Sequence, residues 1–353
     1  MLGKEKRSDI RQLHKEDLED FFLKNQSKKY RGRQVYEWLW KHRVTSFEQI
    51  TNIPLNDRTT LKEEFYINGI KIASVKKSLD GTIKFLFILI DKKIIEGVII
   101  PQRNRLTACI SSQVGCSLSC TFCATGKLRS FRNLTIGEIY DQVFLINQYC
   151  IANFKKSLTN IVYMGMGEPL LNYKNVLKSI FHITRPGGLN ISGKRITLST
   201  AGISKMIIKL ADENPNFKLA ISLHSANDDK RSKIMDINKS NNLTSLINSL
   251  SYFYDKTKIK PTYEYLLLNG FNDSIEDAEQ LIEFCKKVPS KVNLIEYNKV
   301  DGSRFEKSTT ISTNMFINTL EKNNILVKIR RSRGEDIGAA CGQLATEKIQ
   351  NDI

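Results

Sequence analysis

Three cysteines crowd one short stretch of the chain: Cys116, Cys120 and Cys123, in the pattern Cys-x3-Cys-x2-Cys. Thiolates so spaced can hold a soft metal or a cluster from a single loop. A structural zinc site usually takes four protein ligands, often from paired Cys-x2-Cys knuckles, and the fourth ligand is missing locally. An iron–sulfur cube has four irons, so three thiolates would leave one open to an exogenous ligand. Cys109 and Cys341 stand apart from the cluster, and in isolation each would read as a small buried hydrophobe. Cys150 and Cys285 fall on predicted helix faces, where a core role is expected.

The remaining composition limits where such chemistry takes place. Seven cysteines is an odd number, and most are crowded rather than spread as a disulfide framework would be. The N-terminus is too charged for a secretory signal, and the longest apolar run, Phe85 to Ile90, is far short of a bilayer span. A cytoplasmic protein that does not enter a membrane is expected. The 353 residues carry 54 Lys and Arg against 37 Asp and Glu, a net charge of +17. Lys24–Arg43 holds seven basic residues and one acid, Lys322–Arg333 five and none, and Lys127, Arg129 and Arg132 follow the cysteines. Tyr30, Tyr36, Trp38, Trp40 and Phe131 are interleaved with them, so phosphate contact plus base stacking points to a nucleic-acid partner.

The elements that must position these residues are legible in outline. Residues 1–76 read as a small helical domain, 77–104 as a β-hairpin and linker, and 105–353 as the main domain. In that main domain strand-like runs at Leu106–Ser111, Asn160–Met164, Arg195–Ser199, Lys218–His224, Tyr263–Leu268, Val292–Tyr297 and Leu326–Arg330 alternate with helical ones. Such α/β alternation means parallel strands with crossover helices, either an incomplete barrel or a doubly wound sheet. Thr135 with Glu138 and Ser274 with Asp277 start helices; Asn172 is expected to cap another, and Ser312 or Thr313 to start the last.

In a (β/α) barrel the chemistry sits where the strands end, and polar residues cluster at these ends. The cysteine loop follows the first strand. Gly165-Met166-Gly167-Glu168-Pro169 follows the second, where glycines admit a ligand to the backbone and Glu168 can accept hydrogen bonds from an ammonium. Ser199 ends the third strand, Ser222-Leu223-His224 the fourth, and Asn298 follows the sixth. The seventh leads through Arg333-Gly334 to Cys341.

The cysteine spacing, with Phe122 before the last cysteine, resembles the radical S-adenosylmethionine (SAM) superfamily. More specifically, the chain resembles the RlmN family of ribosomal RNA adenine C2 methyltransferases. The resemblance lies in Asp80-Gly-Thr82, Cys109 to Cys116, Met164 to Pro169, Leu198 to Thr200, Ile221 to His224, Asn293 to Ile295, Asn298, and Arg333 to Leu344. It spans residues from about 30 to 345 and implies a partial (β/α)6 radical SAM barrel behind a small N-terminal helical domain.

The resemblance also implies a mechanism. Cys116, Cys120 and Cys123 would bind a 4Fe–4S cluster. One SAM would methylate Cys341, and a second would yield a deoxyadenosyl radical that activates the methyl group for addition to adenine C2. Cys109 would resolve the protein–RNA cross-link through a transient disulfide with Cys341, and Glu96 matches the family's proton acceptor. Gly167, Glu168, Ser199, Ser222, Leu223, His224 and Asn298 match the SAM-contacting positions. The implied substrates are 23S rRNA and the adenine beside the anticodon of certain tRNAs; a flavodoxin-like or ferredoxin-like donor would supply electrons to a monomer. Adenine C2 is electron-poor and carries no acidic proton, so carrying a radical to it by cofactor is chemically reasonable.

The sister C8 methyltransferase shares the cluster loop and both catalytic cysteines but tends to carry Ala where this chain has Pro169. A non-catalytic iron–sulfur RNA-binding protein would not need Cys109 and Cys341. Asp236, Glu296 and Gly338 depart from the family's usual residues, and two added acids near the mouth are expected to weaken RNA contact.

Overall fold

The structure is a computed structural model, which describes residues 7–128 and 132–345. Arg129 and Phe131 of the expected nucleic-acid surface lie outside the described residues.

Three helices open the chain: α1 (Lys15–Lys24), α2 (Tyr30–Glu37) and α3 (Leu55–Glu64). α1 and α2 cross closely because position 32 has no side chain: a Cβ on Gly32 would stand 2.4 Å from the backbone nitrogen of Glu19. Four strands then run antiparallel, β1 (Lys71–Lys77), β2 (Ile83–Ile88), β3 (Ile94–Gln102) and β4 (Arg105–Cys109). The hairpin expected over 77–104 is therefore part of a longer antiparallel run that continues into the main sheet, and β1 crosses the boundary drawn at 76. The sequence hid β1 because every residue in it is exposed, so no apolar alternation marks it.

From β4 onward all neighbours are parallel. The order is α4 (Ala124–Lys127), α5 (Ile136–Phe154), β5 (Asn160–Tyr163), α6 (Tyr173–Thr184), β6 (Ile196–Thr200), α7 (Ser204–Asp212) and β7 (Lys218–Ser222). It continues with α8 (Asp228–Ile234), α9 (Leu243–Thr257), β8 (Thr262–Leu267), α10 (Ile275–Lys287), β9 (Lys291–Glu296), α11 (Thr310–Lys322) and β10 (Val327–Arg330). These ten strands form one sheet in strict sequence order, β1 through β10; two short two-stranded ladders, Ser8–Asp9 with Phe65–Tyr66 and Gln113–Val114 with Arg132–Asn133, lie outside it. β10 does not pair back with β4, so the parallel part is a barrel left open along one seam. Each expected strand of the main domain is present within a residue or two.

The capping boxes of α5 (Thr135, Glu138) and α10 (Ser274, Asp277) form as expected. One other start differs, and α6 begins directly after Asn172 as expected but without a bond from its side chain. α11 begins at Thr310, because the Thr309 hydroxyl accepts from the Ser312 amide. Asn172 makes no side-chain cap; its Nδ2 instead donates to the carbonyls of Ser112 and Leu134, tying the cysteine loop to the second strand end.

The helical domain docks on α5 through a buried ionic knot. Asp141 is fully buried, accepts from Arg11 at 2.8 Å and forms an ion pair with Arg43 at 3.0 Å. Arg11 also lies 4.8 Å from the Trp40 ring, and Trp40 stacks on His182 of α6 at 3.5 Å. Trp40 is thus a core residue and offers no stacking surface to a base. Arg43 is spent on Asp141, and Arg31 pairs with Asp57, so the Lys24–Arg43 run has fewer free charges than its composition implies. Arg132 is likewise held by Glu138 and Asp91.

Candidate active site

The polar residues singled out at the strand ends converge on one cavity at the C-terminal mouth of the barrel. Cys116, Cys120 and Cys123 border it on one side, Gly167 and Glu168 on a second, Ser199, Ser222 and His224 on a third, and Cys341 closes it.

The cysteine loop is pinned from several directions. The Thr121 amide donates to the Ile234 carbonyl at 3.0 Å, and the Ala124 amide donates to the Gly342 carbonyl at 2.7 Å. Thr125 Oγ1 donates to the Leu344 carbonyl. Leu118, Cys120 and Phe122 pack on a small apolar cluster that includes Ile234, Met235, Leu266 and Tyr297. The loop and the Cys341 segment are therefore held as one unit.

Among the described residues no three His, Cys, Asp or Glu side chains close around a single metal ion; the three thiols instead border a shared cavity. Burial raises the Cys120 thiol, and the neighbouring Cys123 and Cys116 raise it further; burial lifts Cys116 to about 11. Three soft donors that penalise one another's ionisation fit a cationic iron–sulfur cluster, whose charge would offset that repulsion.

The opposite wall is built from backbone and carboxylate. Gly167 sits at φ +97°, and a Cβ there would stand 2.5 Å from Gln113. Glu168 is buried; its Oε1 accepts from the Leu170 amide at 2.9 Å and its Oε2 from the Ala201 amide at 2.8 Å. Burial raises its carboxyl against those two bonds. His224, at φ +58°, accepts at Nδ1 from the Leu266 amide at 3.0 Å, and its ring meets Phe122 edge-on. Burial pushes it down to about 3, so it is a neutral imidazole.

Two of the expected SAM-contacting residues lie differently. The Leu223 side chain is buried in the apolar core, its amide donates to the Glu264 carbonyl at 3.0 Å, and its carbonyl accepts from the Ser225 amide and Arg231. Asn298 borders the open seam rather than the cavity, and its Nδ2 donates to the Cys341 carbonyl at 3.3 Å.

Cys341 lines both the cavity and the groove along the seam, and is solvent-exposed within a crowded cleft. Cys109 ends β4, buried beside it. Burial lifts the Cys109 thiol to about 12, Cys341 adds to the rise, and the Arg330 guanidinium lowers it. Burial also raises Cys341, again opposed by Arg330. Glu96 is buried on β3, 3.5 Å from Lys84 Nζ, and Lys84 also donates to the Gly338 carbonyl at 3.4 Å. Glu96 thus reaches the Cys341 segment through Lys84.

Comparison with known proteins identifies this arrangement. The radical SAM superfamily profile matches residues 110–285, and that of the ribosomal RNA large subunit methyltransferase N-terminal domain matches residues 8–67. The chain is 53% identical over 343 residues to a Flavobacterium psychrophilum protein named "Probable dual-specificity RNA methyltransferase RlmN", covering 97% of this chain and 99% of that protein. The chain belongs to the RlmN family. A Cytophaga hutchinsonii protein of the same name is 52% identical, covering 98% of this chain and 94% of that protein. A crystal structure of a radical SAM methyltransferase from Sphaerobacter thermophilus superposes with a TM-score of 0.89 at 35% identity, covering 96% of this chain and all of that one. The chain is thus an enzyme, a radical SAM RNA methyltransferase that uses a 4Fe–4S cluster and SAM. No helix among the described residues is long and apolar enough to cross a membrane.

Sequence reasoning missed two arginines of this RlmN-family site, one buried and one half-buried. Arg231 is fully buried and donates to the carbonyls of Leu223 and Ala201 and to Asn238, fixing the ends of β6 and β7. Arg330 reaches into the barrel beside both cysteines. The inward phase of β10 was the available signal for Arg330; nothing local marks Arg231. The departures Asp236 and Glu296 are neutralised in place, by Lys239 at 2.7 Å and Lys307 at 3.3 Å, so the expected acid repulsion of RNA is offset locally.

Proposed function

We propose that this enzyme methylates C2 of adenine in 23S rRNA and in certain tRNAs, with Cys341 as methyl carrier and Cys109 as resolving thiol. The observation that carries this reading is the placement of Cys341 at the junction of the cluster-side cavity and the seam groove, with Cys109 and Arg330 beside it. The cluster and SAM, when bound, supply the methyl group and a carbon-centred radical. Everything else falls to the chain.

The exposed Cys341 sulfur accepts the methyl group, and the bonds from Asn298 and Ala124 hold its loop against the cavity. Glu168, Ser199, Ser222 and the backbone at Gly167 orient SAM, Leu223 fixes the turn between Ser222 and His224, and Asn298 acts from the seam side. Neutral His224 packs the cysteine loop through Phe122. Glu96, buried with Lys84, receives the proton from the base. The Cys109 thiolate attacks the Cys341 sulfur, so that a Cys109–Cys341 disulfide forms as the sulfur–methylene bond breaks. The methylene carbon leaves with the bonding pair, delocalised into the adenine ring, and takes a proton to become the methyl group. An external thiol reductant returns the disulfide to two thiols. A flavodoxin-like or ferredoxin-like protein serves as electron donor, and the chain acts as a monomer. The helical domain, residues 1–76, and the 77–104 strands complete the RNA-facing side of the 105–353 core.

The test is anaerobic turnover of reconstituted enzyme with SAM and unmodified 23S rRNA, read by nucleoside mass spectrometry. The expected product is 2-methyladenosine; 8-methyladenosine alone would instead indicate the sister chemistry.

A further inference from the structure

The interior of a closed (β/α) barrel is ordinarily filled by layers of bulky apolar side chains. Here the layer at the N-terminal end departs from that rule. Arg105 begins β4, Lys218 begins β7, Lys291 begins β9, and Lys328 is the second residue of β10. Between them stand neutral Thr197 and Thr262, paired in register with Lys218 and Lys291. Lys218, Lys291 and Lys328 border a cavity of about 270 Å³ whose inner end is formed by Glu264 and Arg330, already paired with each other at 3.0 Å. Burial lowers the Lys218 ammonium, and the charges acting on it, from Lys291, Arg105 and Lys328, are all cationic.

This basic end is not isolated. Lys328, Asn293 and Arg330 border both the basal cavity and the seam groove of about 590 Å³, which also takes in Arg105 and Arg331 and ends at Asn298 and Cys341. The distance from Arg105 to Cys109 along β4 is about 13 Å, at about 3.3 Å per residue, a reach of about two nucleotides. Cations lining a low-dielectric cleft focus their field along it.

We propose that the open seam of the barrel is the track for the RNA backbone, with Arg105, Lys218, Lys291, Lys328 and Arg331 taking phosphates flanking the target adenine. This inference rests on the proposed RNA methylation at Cys341 and adds where the strand lies. The occupant is RNA because the strip is cationic, elongated and ends at the methyl-carrying sulfur, whereas a small free anion would need only the basal cavity.

The test uses the full-length reconstituted enzyme and a 23S rRNA fragment containing the target adenine. In the triple variant K218Q/K291Q/K328Q, with folding checked by circular dichroism and thermal melting, RNA affinity should fall about 10- to 100-fold near 0.15 M salt. The slope of log affinity against log salt should become shallower by about 2, at about 0.7 per lost single-strand contact. The triple K218R/K291R/K328R, which keeps the charge, should restore both. Affinity and slope within twofold of wild type in the glutamine triple would overturn the proposal, as would retained RNA affinity with loss of inorganic tripolyphosphate binding, which would assign the site to a free anion. Failure of the wild-type enzyme to methylate the fragment would instead count against the underlying function, since the binding measurement does not depend on turnover.

Discussion

The Arg330 guanidinium lies 3.0 Å from the Glu264 carboxylate in the middle of the barrel and acts on the thiols of both Cys109 and Cys341. Glu264 is steadied by Asn293, whose Nδ2 donates to it at 2.8 Å. Arg330 lowers both the Cys109 and Cys341 thiols, while Glu264 opposes it at Cys341, so the guanidinium is the group that favours their ionisation. Arg330→Met should therefore slow resolution, so that a covalent protein–RNA species accumulates even with Cys109 present. It should also cost about 2 kcal/mol, less than a wholly buried pair because 34% of the Arg330 side-chain surface remains in water. Denaturing gels and urea melts would check the two effects, and Arg330→Lys should recover most of the first.

Cys109→Ala should trap the enzyme on its RNA through Cys341, seen as a nuclease-sensitive band of reduced mobility on a denaturing gel. Normal turnover of that variant would exclude a resolving role. In the wild type, a Cys109 thiol held near 12 is protonated at neutral pH. Its thiolate fraction, and with it the rate of resolution, should rise about tenfold per pH unit over the accessible range, measurable in single-turnover chases.

The buried Arg11–Asp141–Arg43 knot is the main polar tie between the helical domain and the core. Asp141→Asn leaves two guanidinium groups facing a neutral partner and should cost about 3–5 kcal/mol. Urea denaturation would measure the loss, and limited proteolysis should show earlier cleavage between α3 and β1.

Two buried histidines set the acid response. Burial lowers His182 to about 2 and His224 to about 3, both below the unfolded value near 6.5. The unfolded chain binds these protons first, so stability is lost as pH falls below about 6.5, by about 1.4 kcal/mol per unit for each group. The loss continues until each folded pKa is reached. Urea midpoints between pH 7.5 and 5 would show it, and His182→Phe should remove roughly half of the histidine contribution.

Much of this site is local in origin. The cysteine loop, the glycine turn ending in Glu168 and the strand alternation from β4 to β10 follow from short-range spacing and periodicity, so they could be read residue by residue. Strand boundaries fell within a residue or two because β-rich runs are bounded by turn residues. β1 is not legible because it has no buried face, and Asn172 takes the N-cap position while two carbonyls from distant segments recruit its side chain. Trp40, Arg43 and Arg132 looked free for RNA because a sequence shows a charge or a ring without its partner.

What the sequence alone determined was the chemistry available: three soft ligands on one loop, two further thiols, and an excess of positive charge. Tertiary structure decided which groups meet. It buried Cys109 while leaving Cys341 open, set Arg330 beside both, paired Glu96 with Lys84, and gathered cations from four separate strands at the basal cavity and the adjoining seam groove. Ionisation and electrostatic focusing depend on burial and on neighbours far apart in the chain, and those are properties of packing that no local spacing encodes.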